Sequence, residues 1–145
     1  MRVDNVLDGD TFHGRIVRGG PLRGVKIIRD SLVSVRLEGV DAPEKDQPWG
    51  AKAREALATM VEGDTVLVEI VARDAFRRVV GRVRQGSRDV NAALVEQGHA
   101  WMFRKYTDSR LLDSLEGSAR EQRRGLWAAG SGAPVPPWEW RRRKR

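Results

Sequence analysis

Cysteine is absent from the 145 residues, and histidine occurs only twice, at His13 and His99. Without thiols there are no disulfides and no thiolate metal sites. Two isolated imidazoles do not make a zinc centre of the usual nitrogen and sulfur ligands. No spacing supports a serine–histidine–carboxylate triad. His13 falls within a predicted strand and His99 just after a predicted helix end, so both read as structural. No apolar run approaches the roughly 18 residues of a membrane span, so no membrane partner is expected. The first residues already read as a strand, not a signal peptide. A secreted location after loss of a leader and a cytoplasmic one both stay open, and zero cysteine favours neither. No internal repeat is evident, and a monomer is expected.

What remains is a globular composition. Hydrophobic residues make up 40% of the chain, and 145 residues suit one domain with a sizeable core. The formal net charge is +7, and five of those charges are Arg141, Arg142, Arg143, Lys144 and Arg145. Removing those five leaves +2 for residues 1–140. The attraction for polyanions is therefore concentrated at the end of the chain, where nucleic acid is the natural partner and a solubilising tail the plain alternative.

Residues 2–7 and 11–17 alternate as two strands joined by the turn Asp8-Gly9-Asp10. Residues 18–31, with Arg18, Arg23, Lys26 and Arg29, read as a long loop or hairpin, solvated or touching phosphate. Val33, Val35 and Leu37 then alternate with Ser34, Arg36 and Glu38 in a strand over 32–38. Helical spacing runs from Trp49 through about residue 62, stopped by Gly63. Residues 65–71 are a strand with apolar residues on both faces, which predicts a central position. Another strand covers 78–84. Asp89 caps a short helix to Gln97, and Asp108 or Ser109 caps a last one carrying Leu112, Leu115 and Ala119. Five short strands with helices between them fit a small barrel better than a doubly wound sheet. The division is a domain over 1–127 and a Pro/Trp-rich basic tail over 128–145, extended at Pro134, Pro136 and Pro137.

Three stretches carry acids and arginines. Arg36-Leu37-Glu38-Gly39-Val40-Asp41-Ala42-Pro43-Glu44 leaves a strand and delivers two carboxylates onto a turn. Alone it reads as an ordinary surface turn, because Asp and Glu beside Pro are common there. Asp8-Gly9-Asp10-Thr11 can likewise be only a hairpin turn. The third is Asp74-Ala75-Phe76-Arg77-Arg78. In this order, and followed by Asn91-Ala92-Ala93-Leu94-Val95-Glu96-Gln97-Gly98 and Arg123-Arg124-Gly125-Leu126-Trp127, they resemble the staphylococcal (micrococcal) nuclease-like family of thermonuclease-type domains. The match covers roughly residues 2–127.

The resemblance implies an α+β, mainly β-barrel fold: a five-stranded OB-fold barrel with three helices. It implies a Ca²⁺-dependent phosphodiesterase that hydrolyses DNA and RNA with little sequence specificity and leaves 3′-phosphate ends. By position in the motifs, Arg36, Glu44 and Arg78 match the catalytic set. Asp10, Asp41 and the carbonyl of Ala42 match the calcium ligands, and Phe76 and Tyr106 fall at nucleotide-contacting positions. The chemistry suits those residue types. Carboxylate and carbonyl oxygens hold a hard cation, a carboxylate takes or orients the proton of water, and guanidinium forks bind phosphoryl oxygens. Three positions depart from the family pattern: Ala42 replaces a threonine, Phe76 a tyrosine and Arg77 a glycine. Arg77 puts the assignment of Arg78 over its neighbour in question. Asp8 can merely brace its turn, Arg82 and Arg84 read as a solvated strand face, and Trp101 and Trp127 as core. The competing function is a non-catalytic nucleic-acid-binding or protein-interaction OB-fold module. The presence together of Asp10, Arg36, Asp41, Glu44 and Arg78 favours the enzyme.

Overall fold

The computed structural model describes residues 1–18, 31–128 and 134–144. The arginine- and lysine-bearing part of the predicted 18–31 loop, with Arg23, Lys26 and Arg29, lies outside the described residues.

The apolar alternation of the first half forms a meander. Strands β1 (Arg2–Asp8), β2 (Thr11–Arg15) and β3 (Leu32–Leu37) pair antiparallel in sequence. Strand β6 (Val79–Gln85) joins β3 in parallel and β5 (Leu67–Arg73) antiparallel, giving the order β1-β2-β3-β6-β5. The short β7 (Arg88–Asp89) pairs with β6, and β4 (Val40–Asp41) pairs with β8 (Trp101–Met102) in a separate two-stranded sheet. The inward positions Val3, Val6, Phe12, Val35, Leu37 and Val83 are buried together.

Strand β5 is not central. It ends the sheet order, and Leu67 and Val71 are exposed. Its second apolar face is simply uncovered, so apolar residues on both faces did not mean burial on both. The segment just before it turns back to β1 instead. Val3 N–H donates to the Asp64 carbonyl at 2.9 Å, Gly63 N–H to Val3 at 3.0 Å and Val66 N–H to Met1 at 2.7 Å. The outer edge of β1 is therefore hydrogen-bonded and not left open.

Helix α1 (Gly50–Val61) buries Ala53, Leu57, Met60 and Val61 against this core. Helix α2 (Val90–Glu96) starts where Asp89 accepts the Ala92 N–H at 3.0 Å. Asn91 on it ties two strands together. Its Oδ1 accepts the Val83 N–H at 3.0 Å, and its Nδ2 donates to the Glu38 carbonyl at 2.9 Å. Helix α3 (Arg110–Glu121) is capped by Ser109, whose Oγ accepts the Leu112 N–H. It buries Leu112, Ala119 and the charged Glu116. A 3₁₀ turn covers Gly125–Ala128.

Among the described residues of the tail, Pro136 keeps the predicted extended course, at φ −68° and ψ 153°. Residues Pro137–Arg143 form a fourth helix, α4, with Pro137 in its first turn, where a missing N–H costs nothing. Helix α4 folds back over the β4–β8 side of the molecule, because its two tryptophans have partners there. The Trp138 ring stacks on Phe103 at 5.8 Å between centroids and 10° between planes, and meets Trp101 edge-on at 6.3 Å. Trp140 Nε1 donates to Asp46 at 3.2 Å, and Lys144 pairs with the same carboxylate.

Candidate active site

The β1–β2 turn brings the first acid inward. Gly9 is required there: a Cβ at this position would lie 2.6 Å from the Ala42 Cβ and 2.8 Å from that of Ala53. The turn therefore packs directly on the loop that carries the second acid. Asp10 is buried, accepts the Ala42 N–H at 2.8 Å through Oδ2 and the Thr11 hydroxyl at 3.0 Å through Oδ1. Asp8 braces the turn by accepting the Asp10 N–H at 3.1 Å.

Arg36 lies opposite Thr11 on β3, on the face away from the core. One terminal nitrogen donates to the carbonyls of Leu37 and Val40 at 2.8 and 2.7 Å. The other stands 3.5 Å from Asp10 and 3.4 Å from Asp41. Gly39 makes this turn possible at φ 78°, a left-handed conformation. The chain then pairs Asp41 with Trp101 on β8 and buries its side chain to 1% exposure. Glu44 is half-buried just beyond, its N–H held by the Gln47 side chain at 3.0 Å.

The charges are crowded and the groups respond. Burial pushes the Asp41 carboxyl up; Arg141 holds it back, the charge of Asp10 adds to the rise and Arg36 opposes it. Burial also acts to raise Asp10, but the Arg36 guanidinium and the hydrogen bonds from Asp8, Ala42 and Thr11 outweigh it and hold that carboxyl low. Asp8 is pushed up to about 7 by burial and by the charge of Asp10.

Arg141 is the group that sequence reasoning placed elsewhere. From α4 it forks onto Asp41, at 2.7 Å to Oδ2 and 3.2 Å to Oδ1, and reaches Glu44 Oε1 at 2.7 Å. The bond to Asp41 raises the basicity of this guanidinium further. A tail expected to add affinity from a distance instead has a side chain inside the acid cluster. Only the two tryptophans before it hinted that this segment had something to pack on.

Asp10, Arg36, Asp41, Ala42 and Glu44 are thus within one continuous set of contacts. Arg78 belongs to another. Its N–H and Nε donate to Asp74 at 3.0 and 2.7 Å, which fixes the turn before β6. Arg77 is exposed, with φ 62°. Strand register sets Val80 beside Arg36, so position 78 falls on the same face of the sheet by alternation. Phe76 is 80% exposed, with the Arg78 guanidinium 5.5 Å from its ring centre. Tyr106 is 67% exposed and rests edge-on against Phe103 at 4.9 Å. His99 is structural: Nδ1 accepts the Trp49 indole N–H at 3.1 Å.

Among the described residues, no three acidic or histidine side chains converge closely enough to form a metal cluster by themselves. The cluster offers two buried carboxylates, a nearby main chain and one half-buried acid. That donor set is all oxygen and fits a hard divalent cation that keeps several waters.

Comparison with known proteins gives one consistent picture. The family profile described as Staphylococcal nuclease homologue matches residues 34–129. An uncharacterized endonuclease of Escherichia coli is 38% identical over 146 residues, covering 99% of this chain and 85% of the relative. Staphylococcal-like nuclease CAN1 of Arabidopsis thaliana is 32% identical over 97% of this chain and 44% of its own length. Protein ParB of Escherichia coli is 38% identical over 97% of this chain and 77% of its own length.

Proposed function

Because the chain belongs to the family of staphylococcal nuclease homologues, we propose that it is a hydrolase of nucleic acids, an endonuclease cutting DNA, RNA or both with little sequence preference. The observation that carries the reading is the meeting of Asp10, Arg36 and Asp41 at one point, with Ala42 and Glu44 beside them. A binding module has no need to bury two carboxylates beside a guanidinium. A phosphodiesterase does, since it must place positive charge on phosphoryl oxygens and activate water.

In this reading Asp10, Asp41 and the Ala42 carbonyl would hold Ca²⁺, which would supply positive charge to favour attack of water at phosphorus. Glu44 accepts the proton of the attacking water or orients it. Arg36 balances the two acids and faces the phosphate, and Arg78 reaches it from the neighbouring strand when the Asp74 contact opens. The bond from phosphorus to the 5′ oxygen breaks and that oxygen takes a proton from solvent water, leaving a 3′-phosphate and a 5′-hydroxyl. Phe76 and Tyr106, exposed and aromatic, are platforms for bases. We read the fold as an OB-fold barrel, a reading supported by the hydrogen bonds of residues 63, 64 and 66 to Met1 and Val3.

Incubating the purified chain with plasmid and with RNA, in Ca²⁺ or in excess chelator, tests the proposal. Cleavage that requires Ca²⁺ and falls about 10²-fold in Glu44→Gln is expected. Full cleavage in chelator would remove the cation from the scheme. No cleavage of either polymer, with binding intact, would return the chain to the non-catalytic reading.

A further inference from the structure

Two of the arginines assigned to the site are already committed. Arg36 directs one terminal nitrogen to two backbone carbonyls and the other toward Asp10 and Asp41. Arg78 is tied to Asp74 through its backbone N–H and its Nε, and faces a phosphate only once that contact opens. A phosphate in transfer needs a planar fork of donors free to face it.

Arg141 differs in the roles of the groups that hold it. Its contacts in the site are with carboxylates, Asp41 and Glu44. These are the groups with other work in a loaded site: one ligates a cation, the other takes a proton. A divalent cation on Asp41 would repel the guanidinium, and an incoming phosphodiester would attract it. Release would not carry the helix away, because α4 is seated by separate contacts. Trp138 stacks on Phe103, Gln47 Nε2 donates to the Val135 carbonyl at 2.5 Å, and Trp140 and Lys144 hold Asp46. The freed side chain, 39% exposed, stays tethered beside the acids. It also borders a cavity of about 510 Å³ lined by Phe103, Arg104, Lys105, Trp138, Arg141 and Arg142. Four cationic side chains and two rings line that space, a composition suited to a phosphodiester with its sugar and base. Helix α4 lies beyond residues 34–129, which the family profile matches, while Phe103, Arg104 and Lys105 on the other side of the cavity lie within them.

We propose that Arg141 is a phosphate-binding catalytic residue of this active site, delivered by α4, and that the adjoining cavity takes the next phosphodiester of the same strand. The inference rests on the nuclease reading for its ligand. In the chain without substrate the guanidinium neutralises Asp41 and Glu44; with cation and substrate present it turns to the phosphate.

The test uses the full chain and Arg141→Ala and Arg141→Lys. On single-stranded DNA with Ca²⁺, Arg141→Ala is expected to lower kcat/KM by at least about 10-fold, with Arg141→Lys between it and the parent, since lysine keeps the charge and loses the fork. Binding of a labelled single-stranded oligonucleotide is then measured against salt in the Glu44→Gln background. Losing one phosphate contact should flatten the slope of log affinity against log salt by about 0.7. Circular dichroism and tryptophan fluorescence report whether α4 stays seated, and the lysine variant serves if alanine unseats it. An unchanged or raised kcat/KM, or superimposable salt lines, overturns the proposal and leaves Arg141 as a plug over the acids. Absence of cleavage by the parent chain sinks the nuclease reading instead, and the salt slopes still decide whether Arg141 touches phosphate.

Discussion

Asp10 accepts the Ala42 amide hydrogen at 2.8 Å, so the acid of the first hairpin is fastened to the backbone beside the second acid. Charge and hydrogen bond can be separated here. Asp10→Asn keeps an oxygen able to accept from Ala42 and removes the negative charge. Asp10→Ala removes both and leaves a buried amide unpaired, at about 1–3 kcal/mol. In the parent, Ca²⁺ at about 100 times its dissociation constant should raise stability by about 2.7 kcal/mol, read as a higher melting temperature. Without Ca²⁺, Asp10→Asn should melt below the parent, because the attraction to Arg36 is lost, but above Asp10→Ala, and it should lose most of that rise. If the asparagine variant keeps the full Ca²⁺ response, Asp10 is no ligand.

Arg77 holds φ at 62° at the position where the family pattern has glycine. An L side chain costs about 1–2 kcal/mol in that region, partly offset by the extra unfolded-state freedom of glycine. Arg77→Gly should therefore be neutral or stabilising by up to about 1 kcal/mol in urea denaturation. A β-branched Arg77→Ile should be worse than the parent. A loss of more than about 1 kcal/mol in the glycine variant would mean that the arginine side chain holds the turn. Activity discriminates in parallel: turnover should fall in Arg78→Ala and not in Arg77→Ala.

Much of this was legible because it is local. The Asp8-Gly9-Asp10 turn, the exit at Gly39, and the caps Asp89 and Ser109 each follow from residue types acting within a few positions. The acid cluster was legible only through the order of motifs, since nothing in the spacing of Asp10 and Asp41 says that Gly9 packs on Ala42. Three features were not legible. The position of β5 depends on which neighbours cover its second face. The folding back of α4 depends on Phe103 and Trp101, far upstream, offering rings to Trp138. The burial of Glu116 depends on partners brought by tertiary contact.

That glutamate carries the next prediction. Glu116 is 1% exposed, accepts the Met102 N–H at 2.7 Å, and pairs with Arg104 and Arg120 at 3.0 and 3.1 Å. It ties α3 to β8 and so positions Phe103, the seat of α4. Removing the carboxylate leaves the buried Met102 amide unpaired, at about 1–3 kcal/mol, while Arg104 and Arg120, both half exposed, return to water. Glu116→Ala should lose that much in chemical denaturation, and Glu116→Gln less, because its amide oxygen still accepts. A change below about 1 kcal/mol in the alanine variant would show that water replaces the carboxylate.

His99 sets the pH dependence. Burial holds its imidazole below the usual 6.5. The Trp49 indole N–H also needs the Nδ1 lone pair, which protonation would fill. The unfolded chain therefore binds a proton more readily than the folded one between the depressed value and about 6.5. Stability rises with pH wherever the unfolded state binds more protons. The His99 contribution should thus be complete above about pH 6.5 and decline as pH falls below it. Asp8, pushed up to about 7 by burial, acts with the opposite sign, since there the folded state keeps the proton. The parent's own profile mixes the two, so the readout is the difference between the parent and His99→Gln. That difference should be flat above about pH 6.5 and should shrink, or turn in favour of the glutamine variant, on acidification. The ring proton of His99 should titrate below 6.5 by NMR. A midpoint at or above 6.5, with a pH-independent difference between the two chains, would mean that the ring is solvated and that the contact with Trp49 is not maintained in solution.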